Sequence, residues 1–221
     1  MALRTLRLPP WLPWGLLALG AAATILAYPG MPETWAVHYN AWGEEDGWVA
    51  KSWAAALGPF ALGVLVAAVL EVVGRLVPAS PPFPLAEEWR VLLQEWQLQA
   101  LRAISSGTAV LVGSLALTLP RVHSPHLPLL LVAPLLALAV LWPAWTLGRL
   151  VLAMREAGAL PRGYQGMIYR DPEDPRLLVP RLTGGGSTLN LAHPRAWFLL
   201  VFLVLLPLAV LAWVAMTRLG P

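Results

Sequence analysis

Five long apolar runs alternate with short polar segments along the chain. The first two are Leu12–Ala27 and Trp53–Leu76; the others cover residues 103–119, 127–147 and 196–216. A helix rises ~1.5 Å per residue, so about 20 apolar residues cross the ~30 Å hydrocarbon layer of a bilayer. The pattern predicts an all-α integral membrane helical bundle with five transmembrane helices. Trp11 and Trp14 flank the first run, and Tyr28-Pro29-Gly30 makes a poor signal cleavage site, so this run is read as an uncleaved span.

Residues 85–104 follow a different period. At 100° per residue, Leu85, Trp89, Leu92, Leu93, Trp96, Ala100 and Ile104 form one apolar stripe, and Glu87, Glu88, Arg90, Gln94, Glu95, Gln97 and Arg102 take the other face. Two tryptophans on the apolar side suit the headgroup layer, which predicts one amphipathic interfacial helix. Ser105, Ser106, Gly107, Gly113 and Ser114 let neighbouring helices approach closely in lipid, so the third span is expected at the bundle centre. Pro134 and Pro143 predict kinks in the fourth. Glu71 and Arg75, at i,i+4, read as an interfacial ion pair ending the second span, with a carboxylate on a proton path as the alternative.

The organisation that follows is a two-helix unit over 1–77 with a polar loop at 28–52. A Pro-rich linker and the amphipathic helix cover 78–102, and a transmembrane hairpin 103–149. A polar loop domain covers 150–195 and a last helix 196–221.

Composition agrees. Of 221 residues 58% are hydrophobic and 12% charged, against roughly 25% charged in soluble domains. Absence of Cys removes disulfides, thiolate metal sites and cysteine catalysis. The formal charge of +3 comes from arginines set between apolar runs, which points to membrane orientation rather than nucleic acid. With the N-terminus inside, twelve of the 15 Lys and Arg lie inside; Lys51, Arg121 and Arg218 lie outside. The expected topology is N-in, C-out.

Candidate chemistry concentrates in two polar segments. The outward one holds His38, Asn40, Asp46 and Lys51. His38 suits a loop hydrogen bond first, and a metal ligand or pH sensor second. His123 and His126, in an H-S-P-H spacing, would complete a zinc or copper site with His38 if the two outer loops meet. Asp46 suits a cap on a helix starting near Trp48, with Lys51 neutralising it or snorkelling. The same Asp/Lys/His set would also bind a peptide or an anionic headgroup.

The inward segment contains Asp171-Pro172-Glu173-Asp174-Pro175-Arg176, which lacks the ligand spacing of a calcium loop. Gly184-Gly185-Gly186 has no following Gly-Lys-Ser/Thr and reads as a flexible turn. Asp174 is expected to pair with Arg176 or Arg181. Neither H-E-x-x-H nor G-x-S-x-G occurs, and Glu71 has no intramembrane carboxylate partner, so no enzyme is expected. A small transporter or lipid-handling protein is the alternative from another class, with a metal-dependent membrane hydrolase third.

Pro32, His38, Tyr39, Asn40, Gly43, Asp46, Gly47, Trp48, Lys51 and Pro59 together form a Pro…His-aromatic-Asn…Gly…Asp-Gly-aromatic…Lys…Pro pattern. It resembles the domain of unknown function at the front of SdpI-type bacterial membrane proteins. A second stretch, with Tyr169, Pro172, Asp174, Pro175, Arg176, Val179, Pro180, Arg181, Thr188 and Asn190, is similar to a cytoplasmic segment of relatives of that family. Asp171 stands where Asn is usual there. The resemblance implies a non-enzymatic protein of the bacterial inner membrane, engaged in peptide-toxin immunity or envelope sensing. Its implied partners are a secreted peptide outside and a regulatory protein inside; the apolar runs themselves call for the lipid bilayer, and a homo-oligomer is a further expectation.

Overall fold

The computed structural model describes residues 7–40, 44–76, 85–121, 126–184 and 186–219. Among the described residues there are five long helices: α1 (Leu12–Ala27), α2 (Trp53–Leu76), α3 (Glu87–Thr118), α4 (His126–Glu156) and α5 (Pro194–Leu219). Leu12–Gly30, α2, α3 and Leu136–Glu156 of α4 are each long and apolar enough to cross a membrane. In α5 the apolar stretch is shorter, Pro194–Val210. The chain is thus mostly helical and built as a multi-pass membrane protein.

Two compact units divide the chain. One comprises Met1–Pro78 and Leu92–Arg149, the other Ala79–Val91 and Leu150–Pro221. The first is centred on α3, whose buried residues include Ala103, Ser105, Gly107, Ala109, Val112, Gly113 and Ala116. Leu17, Phe60, Ala67, Ala109, Val112 and Ala116 form a common core of α1, α2 and α3. Small residues set the spacing. A Cβ added at Gly20 would stand 2.9 Å from the Phe60 ring and 3.3 Å from the Gly113 backbone. One added at Gly107 would stand 2.9 Å from Ala139 of α4. Helices in lipid gain little from burying one apolar surface against another, so this close backbone approach is what holds them together.

The interfacial helix and the third span, expected as separate elements, are one uninterrupted helix. At ~1.5 Å per residue its 32 residues run ~48 Å, well beyond the ~30 Å hydrocarbon layer. Charged residues at one end of an apolar run do not stop a helix that lacks Pro. The expected stripe holds at Leu93 and Ala100, both buried, and fails at Ile104, which is 41% exposed. The linker at 78–84 lies outside the described residues.

The expected end of the fourth span also moves. Its helix continues through Glu156, seven residues into the stretch read as a loop domain. There it closes in a Schellman turn: Ala159 N–H donates to Met154 C=O at 2.8 Å and Gly158 N–H to Arg155 C=O at 3.1 Å. Gly158 takes φ +67°, a left-handed value that a Cβ would strain.

Between α1 and α2 the chain forms a hairpin of β1 (Thr34–Tyr39) and β2 (Glu45–Ala50), where a loop was expected. In the second unit β3 (Tyr164–Gln165) pairs with β4 (Ile168–Tyr169), and β5 (Leu178–Pro180) with β6 (Ser187–Leu189), all antiparallel. A parallel bridge from Tyr169 to Asn190 links the two hairpins.

The glycine contacts separate three substitutions. Gly20→Leu should destabilise the first unit by about 1–3 kcal/mol, because the added side chain meets a ring and a backbone. Gly113→Ala, whose new Cβ would stand at an ordinary 3.5 Å from Gly20, should be near neutral. Gly148→Ala, in open space within α4, should raise stability by about 0.5–1 kcal/mol. Thermal melts in one detergent check this order.

Candidate functional site

The hairpin is fixed to the helix ends by buried aromatic and apolar side chains. Met31, Trp35 and Ala56 form a core, with Ala27, Tyr28, Val49, Ala55 and Leu119 packed against it. The Tyr28 and Trp53 rings stack at 3.8 Å. Trp48 lies in β2 and not in a helix, so Asp46 caps nothing. The first turn of α2 is capped instead by Ser52, whose Oγ accepts from Ala55 N–H at 3.1 Å. Expecting a helix at Trp48 placed its start five residues too early.

Lys51 serves the chain itself. Its Nζ donates to the carbonyls of Met31 at 2.8 Å and Pro29 at 3.3 Å, and lies 5.4 Å from the Tyr28 ring centre. The Glu33 carboxylate stands off at 3.9 Å. Lys51 therefore ties down the turn after α1, and neutralising Asp46 is not its role. Asn40 closes the hairpin: its N–H donates to Glu44 C=O at 2.9 Å, its Oδ1 accepts from Glu44 N–H at 3.0 Å, and its Nδ2 donates to the Glu44 carboxylate at 2.8 Å.

His38 and Asp46 form the chemical feature of this end. The strand register slips on both sides of His38, which pairs with Gly47, so Val37 and Asp46 are bulged out of the ladder. These bulges bring the His38 imidazole Nδ1 into a hydrogen bond with the Asp46 carboxylate. A Cβ at Gly47 would stand 2.7 Å from that of His38, so only glycine admits this pairing. Both partners reach solvent, His38 with 71% of its side chain exposed. Nearby, Tyr39 has its hydroxyl buried with no hydrogen-bond partner among the described residues. Burial, then the Glu45 carboxylate, raises its pKa. Of the expected metal set, His38 stands in β1, His126 opens α4 and His123 lies outside the described residues. Among the described residues no group of three or more His, Asp or Glu is arranged to hold a metal.

The second unit carries the other predicted residues, and here they converge. Asn190 is fully buried. Its Oδ1 accepts from Asp171 N–H and Ala192 N–H, both at 3.1 Å, and its Nδ2 donates to the carbonyls of Asp171 at 2.8 Å and Asp174 at 3.1 Å. One amide side chain thus organises the whole D-P-E-D-P turn. The Asp174 carboxylate takes a forked bond from Arg176, with Nε at 2.9 Å and Nη2 at 2.7 Å, and accepts from the Tyr169 hydroxyl at 2.8 Å. Those bonds, Arg176 first, hold its pKa well below the usual carboxylate range.

Arg181 does not share in this pairing. Its Nε donates to Ser187 C=O at 2.9 Å, across the β5–β6 turn. His193 and Tyr164, not singled out from the sequence, complete the cluster. His193 Nε2 bonds Asp174 C=O at 2.7 Å, and the Tyr164 hydroxyl donates to Pro180 C=O. Burial, then the Tyr169 ring, pushes the Tyr164 pKa up to about 12. Asn190, Asp174 and the Tyr164 and Tyr169 hydroxyls are each turned on a neighbour, and together these bonds shape the loop.

Two family descriptions match parts of the chain. Residues 15–63 match the domain of unknown function DUF1648, and residues 172–197 match the family of unknown function DUF5808. The first covers α1, the hairpin and the start of α2; the second covers the Asp174–Asn190 cluster. No curated protein and no solved structure matches the chain.

Asn190→Ala should cost the second unit about 3 kcal/mol, because it strips partners from buried backbone groups; faster hydrogen exchange across residues 164–190 would register it. Asp174 has a depressed folded pKa, so its contribution is present above the ordinary carboxylate pKa and drains away as pH falls through the folded one. Melts carried down into strong acid should therefore show a loss that Asp174→Asn reduces. Tyr164 behaves oppositely at the other extreme. Its contribution is present below the ordinary tyrosine pKa and is lost as pH rises through about 12. Ultraviolet titration should show a late-ionising tyrosine that Tyr164→Phe removes.

Proposed function

We propose that this is a non-enzymatic multi-pass membrane protein of the SdpI-like type, in the bacterial inner membrane with its N-terminus inside. In this reading the β1–β2 hairpin faces outward, recognises a secreted peptide or an envelope signal, and acts through a regulatory partner at the inner loop unit. The observation that carries it is the His38–Asp46 pair, displayed on a hairpin whose base is locked by Trp35 and Lys51 and whose turn is closed by Asn40. A connector between two spans needs none of this structure. A two-stranded sheet also leaves an outer edge on each strand, along which an extended peptide can pair. Val37 and Trp48, about half exposed, offer apolar contacts beside the dyad. The excess of Arg on the inner side supports the orientation.

Deleting the gene should sensitise cells to a secreted peptide toxin or to envelope stress. Complementation with His38→Ala or Asp46→Ala should fail while protein levels stay near wild type, since both side chains are solvent-exposed and their pair contributes only ~0–1 kcal/mol to stability. Full rescue by both variants would sink this reading.

A further inference from the structure

A cleft of about 220 Å³ runs between α1, α3 and α4, along Leu12, Leu16, Ser106, Val110 and Leu138. It is smaller than the ~300–1,000 Å³ of most small-molecule sites, a volume that one acyl chain can occupy. Leu138 is 60% exposed, so the cleft opens sideways, where a spanning helix meets hydrocarbon. Its walls are apolar but for Ser106, whose Oγ is buried with no hydrogen-bond partner among the described residues. One helical turn earlier, ~6 Å along α3, stands Arg102. Its Nε is likewise buried without a partner.

The other two nitrogens of Arg102 make only long contacts. Its Nη1 reaches Leu8 C=O, which belongs to a residue lining the cleft, only at 3.5 Å. Its Nη2 lies 3.7 Å from Glu71 Oε1, an oxygen that Arg75 already holds at 2.8 Å. The other nearby carboxylate, Glu95, is taken by Arg7 at 2.8 Å. An acceptor is therefore missing at two heights, beside a slot that accepts hydrocarbon.

We propose that this cleft binds one anionic glycerophospholipid. A phosphate oxygen accepts from Arg102, an ester carbonyl accepts from Ser106 one turn deeper, and one acyl chain lies along Leu12, Leu16, Val110 and Leu138. The site rests on the membrane-spanning helices and is independent of what the hairpin recognises.

Native mass spectrometry of the full chain in detergent tests it, with phosphatidylglycerol, phosphatidylcholine and inorganic phosphate as probes. Wild type should take one phosphatidylglycerol about tenfold more tightly than phosphatidylcholine, and inorganic phosphate only weakly. Arg102→Gln should erase the preference and Arg102→Lys keep most of it. Val110→Phe should weaken both lipids; Ser106→Ala, which adds no bulk, should weaken phosphatidylglycerol several-fold and keep the fold intact. Arg121→Gln, at the hairpin end, should change nothing. A preference that survives Arg102→Gln, equal binding of the two lipids by wild type, or phosphate binding as tight as lipid binding overturns the proposal.

Discussion

The first unit depends on how closely α3 can be approached. Gly20 lets α1 come in against the backbone at Gly113, and Gly107 lets α4 come in at Ala139, so α3 is in contact on two sides with almost no side chain between. In water a Leu-rich seam would serve, because burying it releases water. In lipid that gain is absent, and contact distance decides. The cleft beside Ser106 lies among the same helices, with Gly107 and Ala139 in its wall.

The hairpin and the Asn190 loop cluster solve a shared problem by different means. Both must hold irregular backbone in place next to long helices. The hairpin does so with an apolar base, Trp35 and Met31, and a lysine turned onto backbone carbonyls. The loop unit does so with one buried amide and one forked carboxylate–guanidinium pair. Asn190 has both its oxygen and its nitrogen satisfied twice over, which is why an uncharged side chain can be fully buried there. His38 and Asp46 also satisfy each other, but they do so in solvent, where the Asn190 ring of bonds is buried.

The helices were legible because length and apolarity are properties of the chain itself. Leu12–Ala27 and Trp53–Leu76 begin and end where hydropathy placed them. Burial of Gly107, Gly113 and Ser105 was legible for the same reason, since small residues in a span have one obvious use. The hairpin was not. Pro, Gly and Asn between residues 29 and 43 read as turn chemistry, and T-W-A-V-H-Y is too short to alternate convincingly once Val37 is bulged. Asp46 and Lys51 were matched as opposite charges close in sequence, whereas the fold turns Lys51 back onto α1 and Asp46 across the strand. The Asp174–Arg176 pair was readable from spacing of two; the ring of bonds around Asn190 joins residues up to 19 apart and needed the fold.

One further consequence follows from where the prolines fall. Pro59 interrupts α2, Pro134 and Pro143 interrupt α4, and Pro207 interrupts α5, while α3 has none. Each proline removes a backbone bond and softens its helix locally. α2 and α4 can bend at those joints, whereas α3 runs from the hairpin base past the Arg102 turn without one, as a single unbroken strut.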